Sequence, residues 1–455
     1  MKLKPTLSRL SRLAAFGALF AHFVHAPAGH AAETPAVIDR EVLSRPLPGL
    51  SAEEEERFRR GRSLFRQSWV IAPANDVAVD GLGPLYNRLA CISCHAKNGR
   101  GGAPDKPEER MQSMLVRLSL PGRNAQGGPL PHPAYGDQLN EEGIPGVPGE
   151  GRAHLHWHHK QARLADGTTV TLRWPSLSFS ELAYGKLGKT LTSLRVSPHV
   201  AGLGLLDAVE EKTLLALAAE KKPDGVRGTV NLVYDKATGQ PAVGRFGLKS
   251  NMPNLRQQIA GAFVGDMGIT SPLFAQENCT AAQTACAAAP HGGQPELSAT
   301  QLDEISFYLA NLAPPPRRAS DSPQVRQGEA HFAELGCATC HRPQLISGEV
   351  AGNPRLSRQS FAPYTDLLLH DMGPQLADGR PDHRANGRQW RTAPLWGLGV
   401  LTAINEQRGL LHDGRARTAE EAILWHGGEA ETARRRYIKA DRTQRAALLA
   451  FLQSL

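Results

Sequence analysis

Two short segments constrain this chain more than anything else in it: CISCH at residues 91–95 and CATCH at residues 337–341. In Cys-x-x-Cys-His the two thiols add to the vinyl groups of a haem, and the adjacent histidine turns its imidazole onto the iron. A zinc half-site or a thioredoxin-like dithiol also uses Cys-x-x-Cys. The first needs both pairs to converge, and the second has no use for a histidine after the second cysteine. Both copies therefore point to covalently bound haem c, with Cys91, Cys94, Cys337 and Cys340 as attachment sites and His95 and His341 as proximal ligands.

The amino-terminal segment agrees with that chemistry. Lys2, Lys4, Arg9 and Arg12 precede an apolar stretch from Leu13 to Val24, and small residues follow near Ala31 and Ala32, the layout of a secretory signal peptide over 1–32. The stretch is short for a membrane span and no later run is long enough for one, so a periplasmic protein with no transmembrane segment after signal removal is expected. The formal charge of +8 falls to +4 once those four basic residues are removed. No basic run is interleaved with aromatics, so nucleic acid is not an expected partner. Cys279 and Cys286, in ENCTAAQTAC, are expected to close a short-loop disulfide worth roughly 2–3 kcal/mol, a redox-active pair being the other reading.

Helical patterns flank each haem motif. SAEEEERFRRGRSLFRQSW (51–69) opens with a capping-box pair, Ser51 and Glu54, and carries Phe58, Leu64, Phe65 and Trp69 broadly on one face. SATQLDEISFYLANLAPPP, with Leu302, Ile305, Leu309 and Leu312 at helical spacing, closes the first half. SPQVRQGEAHFAELG and RTQRAALLAFLQSL play the same parts in the second. The expected fold is mainly α, with two cytochrome c-like domains at 33–313 and 324–455 joined by a linker at 314–323. The first domain carries a large loop-rich insertion, as 45 Gly and 33 Pro in the chain imply, with some β structure around RAHLHWHHKQARLADGTTVTLRW and a turn at Asp166-Gly167.

The sixth iron ligands decide what such a protein does, because two strong axial ligands leave only electron transfer while an open position admits an oxidant. His426 ends a short helix capped by Thr418, and the local pattern leaves open whether it faces a haem or only complements the helix dipole. His412 precedes Asp413-Gly414 and reads as a turn residue near a propionate. Met372 is a rival ligand, in an Asp-Met-Gly tripeptide that recurs at 266–268, and His370 is a weaker one. For the first haem the candidates cluster in HLHWHH, where His154, His156 and His158 share a strand face. His156 is taken as the ligand, with His132 and His199 behind it.

The strings RVSPHVAGLGLLDAV, GRFGLKSNMPNLRQQIAGAFVGDMGITSPLF, PYTDLLLHDMGPQLADG, WRTAPLWGLG and LHDGRARTAEEAILWHGGEA resemble the bacterial di-haem oxidoreductase family, from about Phe58 to the C-terminus. More distantly the chain is similar to di-haem cytochrome c peroxidases and to the enzyme that matures the tryptophan-derived cofactor of methylamine dehydrogenase. In those relatives the distal ligand of the C-terminal haem, a Met or a Tyr, lies fourteen residues beyond a histidine like His412, which here is His426. The resemblance implies a peroxidase-like oxidoreductase that takes electrons from a redox protein and delivers them to a small oxidant such as hydrogen peroxide. It also raises a calcium ion between the haems. The N-terminal haem is expected to be reactive and the C-terminal one a relay, with Glu150, Gln138 and Arg195 as candidates for acid/base work. A di-haem electron carrier and an oxygenase or protein-modifying oxidase are the rival readings.

Overall fold

The computed structural model describes residues 39–404 and 409–455. The expected signal peptide at 1–32 lies outside the described residues. Contacts divide the chain into Met1–Val37 and Ile38–Leu455, and all the described elements belong to the second unit.

The frame is two crossed helix pairs. Ser51 caps Ala52–Arg66 as a full capping box, its hydroxyl accepting from Glu54 N at 3.2 Å while its own N donates to the Glu54 carboxylate at 2.8 Å. This helix crosses Ala299–Ala310 at Gly61, where a Cβ would lie 2.2 Å from the Glu304 carbonyl oxygen. Pro323–Glu334 crosses Arg442–Ser454 in the same way at Gly328, where a Cβ would lie 1.9 Å from Ala447 O. Only glycine permits backbones to approach so closely. Four residues after each glycine comes a phenylalanine that packs beside the haem-motif histidine. Phe65 lies 6.2 Å from the His95 ring and 5.6 Å from Tyr308; Phe332 lies 6.4 Å from the His341 ring and 5.2 Å from Phe451.

Between the pairs of the first half runs the insertion. Met114–Arg123 forms the centre of an antiparallel three-stranded sheet, flanked by Pro129–Leu130 and Leu191–Val196. Arg152–Arg163 and Thr169–Ser180 form a long hairpin, in register from Arg152↔Ser180 to Arg163↔Thr169, with Gly167 at φ +87° in its turn, where Asp166-Gly167 was expected to bend. The expectation of a mainly α fold is overturned. Helix makes up 30% and strand 20%, the strands spread over seven sheets of two or three strands among the described residues. Between the segments flanking the haem motifs lie the helices Glu211–Ala219 and Leu255–Met267 together with the strands, joined by turns rich in Gly and Pro.

The hairpin reaches across the chain. Leu164 and Leu172 are buried with Val325, Trp425 and Phe451, Ala165 N donates to Ile438 O at 3.0 Å, and Arg445 donates to Asp166 at 2.7 Å. Conversely Leu367, Leu368 and Trp396 join the core of Phe58, Phe65, Phe263 and Leu302. Each core thus holds residues from both sides of 314–323. Cys279 and Cys286 are joined as a disulfide, with Cα atoms 5.7 Å apart. No helix among the described residues is long and apolar enough to cross a membrane.

Replacing Gly61 or Gly328 by Ala is expected to force the crossed helices apart and lower stability by about 1–3 kcal/mol, the usual cost of overpacking. Denaturant midpoints of each variant against the parent measure it, and an unchanged midpoint would refute the close crossing.

Candidate functional site

Each Cys-x-x-Cys-His folds as one tight turn. His95 N donates to Cys91 O and His341 N to Cys337 O, both at 3.0 Å, so the two thiols and the imidazole of each motif come to one side. Each turn opens into a cavity. The first, about 640 Å³, is lined by Cys91, Cys94 and His95; the second, about 240 Å³, by Cys337, Cys340 and His341. Burial pushes the thiols of Cys91, Cys94 and Cys337 up to about 12, Asp266 adding to the effect at the first two.

The imidazoles are aimed. His95 Nδ1 donates to Pro198 O at 2.7 Å and His341 Nδ1 to Tyr364 O at 2.9 Å. A proton held on Nδ1 leaves Nε2 as the lone-pair donor, the arrangement metal-bound histidines use. His426 is built alike, its Nδ1 donating to Ala422 O at 2.6 Å, and it lines the same cavity as His341. Burial first and the neighbouring His426 second pull His341 down to about 4, and burial alone outweighs the Pro198 contact to bring His95 to about 4. Neutral imidazoles are the ligating form. Thiols and imidazoles facing the two cavities fit a haem at each motif.

The second cavity therefore has an imidazole from His341 and another from His426. His412 also lines it but lies flat on Trp390, ring centroids 3.7 Å apart at 11°, with its Nε2 3.5 Å from Asp413. Met372 lines it as well. Thr418 caps the His426 helix as expected, accepting from Glu421 N at 3.1 Å, although the Glu421 carboxylate turns to Arg417 N rather than closing the capping box.

The first cavity is larger and its walls carry charge. Arg195 lines it, donating to Ser193 Oγ at 2.8 Å, with Asp382 3.6 Å and Asp378 4.0 Å away; burial pulls its guanidinium down to about 10. Behind it Lys249, fully buried, donates to Asp378 at 2.8 Å and to the carbonyls of Arg380 and Asn386. Gln138 and Glu150 do not line the cavity. Gln138 donates to Gly265 O and to Asp266, and Asp266 is the residue that faces the space. Glu150 lies deeper in the insertion, accepting from Asn140 N at 2.6 Å and Gln283 Nε2 at 2.5 Å. His156 also lies outside the cavity, because the face it shares with His154 and His158 is bonded to Ser178, Ser180 and Ser176 of the opposite strand. His199 lines both cavities and His132 neither. No group of three or more His, Cys, Asp or Glu among the described residues is arranged to hold a metal ion.

Sequence reasoning missed Lys249, Asp378 and Asp382, whose one visible signal was charge inside otherwise apolar strings, and saw in His370 only a weak ligand candidate. That imidazole is 2% exposed, with Asp366 Oδ2 at 2.9 Å from Nε2 and Glu429 Oε2 at 2.7 Å from Nδ1. Burial works against its charge, but hydrogen bonds to Asp366, Cys340 and Glu429 hold it up to about 12.

Two cavities, each opened by a thiol pair and an aimed imidazole, define a protein with two redox-metal centres of the haem kind. The chain belongs to the family described as "Di-haem oxidoreductase, putative peroxidase", which it matches over residues 25–455. Among solved structures, Kuenenia stuttgartiensis hydrazine synthase pressurized with 20 bar xenon is similar at 14% identity and a TM-score of 0.35, over 100% of each chain. None of the curated proteins matches the chain.

Glu150 gives a pH test of the insertion. Burial pushes its carboxyl from the ordinary 4.5 up to about 8 against the pull of Asn140 and Gln283. The folded protein therefore keeps a proton that the unfolded chain releases, and stability present below roughly pH 4.5 is lost as pH rises toward 8. Glu150→Gln is expected to flatten that loss in unfolding midpoints recorded across this range; parallel curves for variant and parent would refute the assignment.

Proposed function

We propose that this protein is an exported di-haem c oxidoreductase of the peroxidase kind, with its reactive centre in the first cavity and an electron relay in the second. The observation that carries this reading is the inequality of the cavities: His341 and His426 share the small one, whereas His95 shares a much larger one with buried charge and with His199, which lines both. When bound, haem supplies an iron that passes single electrons and, at an open sixth position, binds a small oxidant.

Cys91 and Cys94, and Cys337 and Cys340, hold the two groups through thioethers, and His95 and His341 ligate from the proximal side. His426, which lines the same cavity as His341, would be the second imidazole to hold that group and would leave no open position there for water or peroxide. Two imidazoles donate more strongly to ferric iron than an imidazole and a thioether, so a haem held by His341 and His426 would have a low potential. Reduction of hydrogen peroxide to two waters takes two electrons and two protons, which an external redox protein and the first cavity must deliver. Among the acid/base candidates Arg195 is the one at the cavity wall, suited to orient and stabilise an anionic oxygen, and Asp266 stands in line to hold a proton, its carboxyl raised by burial. Gln138 acts by holding Asp266. The electron-carrier alternative drew on the HLHWHH cluster; its serine-bonded histidines give it no support.

EPR and optical spectra of the purified ferric protein test the reading. A low-spin centre alongside a high-spin fraction that converts on cyanide addition is expected, with His426→Ala turning the second centre high-spin. Two low-spin centres indifferent to cyanide and peroxide would overturn the enzyme, and a blank pyridine haemochrome assay would overturn covalent haem.

A further inference from the structure

Two motifs that haem attachment leaves unexplained, HDMG at 370–373 and HGGE at 426–429, interlock at the wall of the second cavity. His370 sits in the strand Leu369–Asp371, with a carboxylate oxygen against each ring nitrogen, Asp366 on one side and Glu429 on the other. Both nitrogens must donate, so the ring bridges the two carboxylates. Glu429 takes more than this one donor. Its Oε2 accepts from Arg227 N at 2.9 Å and Gly228 N at 3.1 Å, and its Oε1 from Asp371 N at 3.1 Å. One side chain thus ties together three stretches of backbone.

The backbones themselves touch. A Cβ on Gly428, which lies at φ +56°, would sit 2.2 Å from Asp371 O and 2.6 Å from Gly373 N, so HGGE can nest on HDMG only without side chains. His426 is the C-cap of Ala419–Trp425, and its own helix orients the ring through Ala422 O. Immediately after it come two glycines, the most permissive backbone available, and then Glu429.

We infer that Asp366, His370 and Glu429 form a positioning clamp that pins the Gly427-Gly428 turn to the 370–373 strand end and thereby keeps His426 in ligating position. The inference rests on the reading of His426 as sixth ligand. His370 and Glu429 line the cavity, and His370 Nδ1 also lies 3.6 Å from Cys340 Sγ, so His370→Gln reads both contacts, whereas Glu429→Gln and Gly428→Ala read the hold on His426. The clamp makes the second centre a closed relay, because an imidazole that cannot swing away leaves no position for cyanide, carbon monoxide or peroxide.

The test uses the full-length holoprotein carrying His370→Gln, Glu429→Gln or Gly428→Ala. The first two weaken the clamp, and the third pushes the two segments apart with every clamp residue in place. Each variant is expected to show a high-spin ferric fraction at the second centre, uptake of cyanide where the parent takes up none, and a raised potential at that centre alone. Haem content should stay that of the parent. A merely structural role would lower the unfolding midpoint and leave spin state and potential alone. Should one variant lose haem, the other two decide. His426→Ala separates the two readings: if it leaves the second centre low-spin, the ligand assignment is wrong. If it opens the centre while all clamp variants keep the parent's spin state and cyanide exclusion, the clamp alone is wrong.

Discussion

Everything the two centres can do depends on where an imidazole proton sits. A histidine ligates through one nitrogen only when the other is committed, and here the commitment is to backbone carbonyls. For His95 that carbonyl belongs to Pro198, more than a hundred residues on. Pro198 follows directly from the strand Leu191–Val196, which pairs along Met114–Arg123 in the insertion's sheet. The insertion is therefore not an ornament on a cytochrome-like domain. Its sheet delivers the acceptor that orients the His95 ring, so the local haem-motif turn depends on long-range strand pairing for its aim. The second site closes over a shorter span, through Tyr364.

The halves share a frame and differ in what covers it. In both, a glycine crossing brings the helices together and a phenylalanine one turn later leans on the haem-motif histidine. Over the second site lies the short helix that presents His426. Over the first lie the insertion and, reaching back from the second half, Asp378, Arg380 and Asp382. Burying Lys249 and Arg195 costs desolvation, which the ion pairs to Asp378 and Asp382 offset in part. Those pairs run between the two halves of the chain, as the two apolar cores also do.

The sequence showed what local pattern can encode. The haem turns, the flanking helices, the Ser51 cap and the Asp166-Gly167 turn each depend on residues a few positions apart, and each was readable. Fold class was not, because apart from Met114–Arg123 and the long hairpin most strands are only two to four residues long and show no alternation to read. Strand period correctly put His154, His156 and His158 on one face, but nothing local tells whether that face meets a cavity or a row of serines. Gln138 and Glu150 were picked by chemical type, and their depth is set by long-range register. The Asp-Met-Gly repeat makes the same point. At 266–268 it ends a helix, with Gly268 at φ +67°; at 371–373 it leaves a strand, with Gly373 at φ +78°.

His426 divides along this line. Its orientation is local: the ring bonds to the carbonyl four residues back in its own helix, as helical spacing allows from sequence alone. Its placement is not, since helix direction beyond a Gly-Gly pair is undetermined until Glu429 meets His370 and the Arg227-Gly228 backbone. On the proposed reading of His426 as a ligand, a bare glycine turn beside it would be a liability for a centre meant to stay six-coordinate. A carboxylate saturated by four donors removes that liability, because no single rearrangement frees the turn while the other bonds hold. On the same reading the first centre needs the opposite property, room beside its iron, and its cavity is the larger of the two, with charged side chains and His199 on its wall.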